Sequence, residues 1–181
     1  MYKIIALMGK AGSGKDTILH HLIAADPNLH EVISCTTRPR REGEVEGVNY
    51  FYLTPEQFGD KVLHDEMLEA TCFNDWFYGT SYDSLRSDAI NVGVFNPTGV
   101  DSLMNRPDAE VAVFYVIASD KTRLLRQLNR EENPNVKEII RRFSTDEADF
   151  ADIDWPCVEI QNETKEDLAA GLKVILSSLE R

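Results

Sequence analysis

An apolar run, KIIALM (3–8), passes without a spacer into Gly9-Lys10-Ala11-Gly12-Ser13-Gly14-Lys15-Asp16-Thr17. No other stretch constrains the fold as tightly, because a strand, a glycine-rich loop and a helix must follow one another in that register. Glycines at 9, 12 and 14 let the backbone turn until successive N–H groups point inward at an anion. The following helix presents its positive N-terminus to the same point, and Lys15 brings a mobile ammonium against terminal phosphates. The stretch fits G-x-x-x-x-G-K-[ST] everywhere but the last place, where Asp16 stands and Thr17 follows one residue late. A carboxylate beside a triphosphate repels it unless Mg²⁺ lies between, in which case it is a hard ligand. Residues 9–17 are the candidate nucleoside triphosphate loop, with Asp16 and Thr17 the candidate metal ligands.

Downstream, short apolar runs alternate with helical patterns, which predicts an α/β protein with a mostly parallel central sheet flanked by helices. The expected strands are KIIALM (3–8), EVISC (31–35), AINVGVF (89–95), VAVFYVIA (111–118) and CVEIQ (157–161). Their Val and Ile content without strict alternation suits strands covered on both faces. A first helix is expected from Lys15 to Ala25, stopped by Pro27, and a last one from near Thr164, whose spacing to Asp167 resembles a capping box. Between 36 and 88 the rhythm changes, and RPRREGEVEGVNYFYL reads as loop and hairpin inserted into the core. A second irregular piece, NREENPNVK (129–137), lies between two helical stretches and reads either as a mobile flap or as an ordinary helix connection.

The chain has 181 residues and a formal net charge of −12, which argues against nucleic-acid binding, since that requires phosphate neutralisation. Three of its basic residues fall within 38–41 and seven within 121–142, a pattern suited to local anion handling or, for the second group, to ordinary helix surfaces. No apolar run approaches the ~20 residues of a membrane helix, and no signal peptide is expected. Cys35, Cys72 and Cys157 are widely spaced and form no metal pattern, so reduced thiols in a cytoplasmic protein are expected.

The segment ISCTTRPRREGEVEGVNYFYLTPEQF (33–58) resembles the GMP-binding part of guanylate kinases, S-x-T-T-R-x-x-R-x-G-E-x-x-G-x-x-Y-x-F. EMLEATCFNDWFYGTS (66–81) is similar to that family's E-x-x-E…Y-G-T/S segment, and the loop at 9–17 resembles nucleoside monophosphate kinases in placing threonine one residue late. The resemblance is strong over about residues 1–82 and looser beyond. It implies a P-loop nucleoside monophosphate kinase with a core at 1–32, 83–126 and 138–181, an NMP-binding insert at 33–82 and a lid at 127–137. It further implies ATP as phosphoryl donor, Mg²⁺ as cofactor and GMP or dGMP as acceptor. Arg38 and Arg41 suit a phosphate dianion bidentately, and by resemblance Tyr50 and Tyr78 complete that cage. Glu69 matches the carboxylate that accepts from the guanine donors, and Ser34 and Thr80 the hydroxyls that bind the base.

LLRQLNREENPNVKEIIRRF resembles the family's lid and its flanking helices. Arg130 lies near the lid arginine, Arg142 matches the arginine of the next helix, and Arg126 is a third; the register is loose, so Arg126 and Arg130 can exchange roles. Asn162 in EIQNET resembles the V-N-D segment near the adenine of ATP. One departure stands out: VFNPTGV carries Val94, Phe95 and Asn96 where the family has an Asp-x-Asp pair. Asn96 still offers a neutral oxygen, and Asp16 is expected to compensate in holding Mg²⁺. The expected activity is phosphorylation of GMP or dGMP by ATP. The alternatives are a divergent (deoxy)nucleoside monophosphate kinase with another base preference, or a non-catalytic guanylate-kinase-like binding module. The expected partners are small-molecule nucleotides, without nucleic acid or membrane, for a monomer or homodimer.

Overall fold

Strand β1 (Tyr2–Met8) alternates its side chains between two hydrophobic layers, and those layers set the architecture. A computed structural model of the chain describes residues 1–40, 43–73, 75–130 and 132–179. After β1 come α1 (Lys15–Ala25), β2 (Leu29–Glu31), β3 (Cys35–Thr36), β4 (Phe51–Tyr52), α2 (Pro55–Leu63), β5 (Met67–Phe73) and β6 (Trp76–Ser81). The chain continues through β7 (Ile90–Val94), α3 (Pro97–Met104), β8 (Ala109–Ile117), α4 (Asp120–Leu128), α5 (Val136–Asp149), β9 (Val158–Gln161) and α6 (Lys165–Ser178).

The main sheet is parallel in every pairing, in the order β2-β7-β1-β8-β9. Ile5 and Leu7 of β1 face a layer built with Ile18, Leu19 and Leu22 of α1 and Ile175 of α6. Ile4, Ala6 and Met8 face the opposite layer, with Val100 and Leu103 of α3 and Leu68 of β5. Covered on both faces, these strands have no reason to alternate polar with apolar. With β1 central, its C-terminal end delivers the loop at 9–14 to the middle of the sheet's edge, the usual ligand position in open α/β sheets.

A second sheet, β4-β3-β6-β5, is built from the inserted segment. β5 and β6 form an antiparallel hairpin, β3 pairs antiparallel with β6, and β4 joins β3 in parallel. Cys35, Phe58 and Met67 give this layer a small core of its own.

The expected strand at 31–35 divides in two. Leu29–Glu31 pairs with β7, whereas Cys35–Thr36 belongs to the second sheet. The chain crosses between sheets over Val32, Ile33 and Ser34, and an unbroken apolar run cannot reveal a change of partner. Among the described residues of RPRREGEVEGVNYFYL the expected hairpin is not found; Phe51 and Tyr52 pair in parallel with Cys35 and Thr36 instead. Helices α2 and α3 are too short to announce themselves by periodicity, yet each starts with a side-chain cap and a proline, Thr54-Pro55 and Asn96-Pro97. At α6 the capping box of Thr164 and Asp167 is present. No helix among the described residues is long and apolar enough to cross a membrane.

Candidate active site

The loop after β1 takes its shape from two left-handed glycines, Gly12 at φ 81° and Gly14 at φ 94°. Gly14 caps α1, and Lys15, Asp16 and Thr17 form that helix's first turn. Gly9 has no room for a side chain: a Cβ there would stand 2.5 Å from the Val116 carbonyl oxygen. The outer side of the loop, including Gly9, Ala11, Gly12, Gly14 and residues 15–17, lines a cleft of about 840 Å³.

The loop is held from beneath by side chains that the sequence patterns leave partly unassigned. Asn162, 4% exposed, donates its amide to the Ser13 carbonyl at 2.7 Å. Arg126 donates to the carbonyls of Ser13 at 3.0 Å, Gly12 at 3.3 Å and Asn162 at 2.7 Å. Arg123 reaches the Ala11 carbonyl at 3.0 Å, and Asp146 accepts from the Ala11 N–H at 2.8 Å. Lys10 pairs with Glu147 at 2.5 Å, and the Ser13 hydroxyl is buried with no hydrogen-bond partner. Asn162 therefore sits under the loop, with its amide spent on the backbone, and does not line the cleft. Arg126 borders the cleft but spends Nη1 on loop carbonyls and Nη2 on the carbonyls of Asn162 and Glu163, while Arg130 stands exposed on the cleft wall. The two arginines occupy different surroundings.

The second sheet forms the opposite wall. Arg38, 5% exposed, donates to Glu44 at 2.7 Å and to the Pro39 carbonyl at 2.8 Å, and its guanidinium lies 5.5 Å from the Tyr50 ring centre. Tyr52 donates its hydroxyl to the other Glu44 oxygen at 2.8 Å. Tyr50 packs edge-on to Tyr78 at 6.1 Å, and burial, then the neighbouring Tyr78, pushes the Tyr50 hydroxyl's pKa up. Arg41 lies outside the described residues. Glu69 of β5 is 8% exposed, and burial lifts its pKa to about 7. Thr80 pulls that value the other way, yet its own hydroxyl is fully buried and makes no hydrogen bond of ordinary geometry. Ser34, Thr71 and Glu69 all line the cleft. Asn96 caps α3 by accepting from the Gly99 N–H at 2.7 Å and donates to Thr71 at 3.2 Å. Its carbonyl oxygen is thus engaged by the helix end, which weakens its claim as a metal ligand.

Helix α5 also contributes to the cleft. Arg141 and Arg142 both line the cleft and both pair with Glu138, at 2.8 Å and 3.0 Å. Arg141 foremost, with Arg142, holds the Glu138 carboxyl down at about 2. The tandem Arg-Arg was the available signal for Arg141, which motif matching to Arg142 alone passes over. For Arg123 and Asp146 no sequence signal existed, since the Ala11 backbone that both of them bind lies more than a hundred residues away. The exposed His20 borders the cleft; His30 and His64 are engaged with the carbonyls of Ser84 and Asp60.

A donor-type loop, an arginine-tyrosine group with a buried carboxylate, and a pair of bridging arginines therefore share one cleft. The family model described as Guanylate kinase matches residues 1–179. A guanylate kinase of Bacteroides fragilis is 43% identical over 79 residues, which is 43% of this chain but only 39% of that protein. A guanylate kinase of Carboxydothermus hydrogenoformans is 27% identical over 180 residues, 97% of this chain and 87% of that protein. Among solved structures, the guanylate kinase from Anaplasma phagocytophilum superposes with a TM-score of 0.68, covering 98% of this chain and 86% of that one at 21% identity. At that identity the likeness speaks for the fold.

Proposed function

We propose that this chain, which belongs to the guanylate kinase family, transfers the γ-phosphoryl group of ATP to GMP or dGMP, giving ADP and GDP or dGDP. The observation that carries the reading is the shared cleft, lined at once by Gly9, Ala11, Gly12 and Gly14 with Lys15, Asp16 and Thr17, and by Arg38, Tyr50, Tyr78 and Glu69. In this reading residues 33–82 are the acceptor-binding insert, 127–137 the lid, and 1–32, 83–126 and 138–181 the core.

The reaction forms a bond from a GMP phosphate oxygen to the γ-phosphorus as the bond to the bridging oxygen of ADP breaks. Such a transfer asks the protein mainly for alignment and positive charge. Lys15 and the loop N–H groups hold the donor phosphates, while Arg38, Arg41, Tyr50 and Tyr78 hold the acceptor phosphate. Arg130, Arg141 and Arg142 neutralise charge on the group in flight. Glu69, when ionised, accepts the paired N1–H and N2–H₂ donors of guanine, with Ser34 and Thr80 beside the base; adenine and cytosine present no such pair. A lid closing over both nucleotides excludes water and limits idle ATP hydrolysis.

Among the described residues no group of three or more His, Cys, Asp or Glu could cage a metal by itself. Asp16 and Thr17 at the cleft wall supply a carboxylate and a hydroxyl, the hard oxygens that suit a Mg²⁺ shared with phosphates. Bound there, Mg²⁺ would offset phosphate charge. A soluble, cytoplasmic enzyme, monomeric or homodimeric, fits the thiol content and charge. Following ADP release with ATP, Mg²⁺ and GMP tests the proposal: turnover is expected in the wild type and lost in Lys15→Ala. A folded wild-type chain that binds GMP without releasing ADP would instead mark a non-catalytic module.

A further inference from the structure

Arg123 is the largest fully buried side chain among the described residues, 1% exposed, and the activity just proposed gives it no task. Its guanidinium lies 4.4 Å from the Phe143 ring centre. It donates through Nη1 to Asp120 at 2.6 Å, through Nη2 to Asp146 at 2.5 Å and through Nε to the Ala11 carbonyl at 3.0 Å. Asp146 in turn accepts the Ala11 N–H at 2.8 Å. The one residue Ala11 is therefore gripped on both its backbone groups, its carbonyl by α4 and its N–H by α5. The grip is close, since a Cβ on Gly12 would stand 2.6 Å from the Arg123 carbonyl oxygen.

Stability alone does not call for this arrangement. A buried ion pair recovers little against its desolvation cost, and apolar side chains of similar volume fill such a space at least as well. Asp120, on Arg123's own helix, already supplies a partner near the surface, so the reach inward serves the loop. Asp146 lies four residues after Arg142 and shares its face of α5. Arg142 lines the cleft, as does Asp146 itself.

We propose that Arg123 and Asp146 are a positioning pair that locks the donor loop, through Ala11, in register with the arginine-bearing face of α5. The pair touches no nucleotide. It fixes where the donor phosphates stand relative to Arg141 and Arg142, and it ties the position of α5 to occupancy of the loop. Replacing Arg123 alone leaves the partly buried Asp146 carboxylate without its guanidinium partner, offset only by the Ala11 N–H and the charges of Lys15 and Lys10, so that its own charge opposes the donor phosphates. Removing Asp146 as well relieves that opposition.

This inference rests on the proposed phosphoryl transfer, so its test separates the two. ATP binding in the presence of Mg²⁺ and without acceptor is measured by calorimetry for wild type, Arg123→Leu, Asp146→Ala and the double variant, alongside their melting temperatures. Arg123→Leu is expected to weaken ATP about tenfold and the double variant to recover to within about threefold of wild type, a non-additivity typical of contacting residues. In steady-state assays the KM for ATP moves and that for GMP stays within about twofold. Asp146→Asn, which still accepts from Ala11, is expected to bind ATP like wild type. If Arg123→Leu does not fold, Asp146→Ala carries the test, with ATP weakened about threefold through loss of the Ala11 anchor. ATP affinity unchanged in the singles, losses that simply add in the double, or lowered melting temperatures with unaltered binding would overturn the proposal. Absence of turnover with GMP in the wild type would count against the kinase reading only, because the binding arm remains readable.

Discussion

Arg38 donates from Nη2 to Glu44 at 2.7 Å, deep in the acceptor wall, with the Tyr52 hydroxyl closing the other carboxylate oxygen. A guanidinium so buried needs an anionic partner, and Glu44 serves as one before any substrate phosphate arrives. The Arg38 guanidinium is thereby held 5.5 Å from the Tyr50 ring centre, with Nη1 donating to the Pro39 carbonyl at 2.8 Å.

Arg38→Lys keeps the charge but loses the planar fork. Its expected cost is about 2 kcal/mol in acceptor binding, the range of a charged hydrogen bond. The KM for GMP should rise about thirtyfold while the affinity for ATP stays unchanged. A matching loss of ATP affinity would show that Arg38 serves the whole cleft.

The proposed role of Glu69 links acceptor binding to pH. Burial raises its pKa from the usual 4.5 to about 7, and only the ionised form accepts both guanine donors. GMP affinity should therefore rise as pH increases through about 7, with a proton released on binding near neutrality. For the unliganded protein the sign is opposite. Between 4.5 and about 7 the folded state holds more protons than the unfolded chain, so stability falls as pH rises across that window. The loss amounts to at most about 3 kcal/mol. Glu69→Gln should abolish both slopes, as read from GMP titrations and denaturation midpoints on either side of neutrality. A GMP affinity that is flat over the same range would contradict the assignment.

Asn162 supports the loop rather than the adenine. Its amide is committed to Ser13, and a Cβ on Gly14 would collide with it. Asn162→Ala should weaken ATP and other purine triphosphates alike, by about 1 kcal/mol. A loss confined to ATP, measured against GTP as donor, would restore a base-reading role.

Asp16 is the residue proposed to hold Mg²⁺. Asp16→Ser should raise the Mg²⁺ concentration needed for half-maximal turnover, since a neutral hydroxyl is a weaker ligand than a carboxylate. An unchanged or lower requirement would remove Asp16 from the metal site and leave the phosphates as the main ligands.

The legible parts of this molecule were those in which adjacent residues cooperate. The turn Gly12–Lys15 is dictated by glycines that alone tolerate its positive φ, so the loop and the boundary of α1 could be read directly. The parallel sheet was readable because strands covered on both faces leave long Val- and Ile-rich runs. What escaped depends on contacts between distant segments. Nothing near Val32–Ser34 announces that the chain changes sheets there. The place of Asn162 beneath the loop, rather than beside adenine as its segment suggested, and that of Arg123 emerge only once Ser13 and Ala11 are folded against them. Arg126 and Arg130 were interchangeable in sequence and are separated only by the loop carbonyls that one of them binds.

The central claim is that one cleft joins a triphosphate loop to a guanine-reading carboxylate. A panel of the common nucleoside and deoxynucleoside monophosphates, each followed by ATP-coupled ADP release, tests it most directly. GMP and dGMP should turn over, with AMP, CMP, UMP and dTMP slower by orders of magnitude, and Glu69→Gln should erase that gap by lowering the guanine rates. Pyrimidine or AMP turnover that matches or exceeds that of GMP would contradict the account.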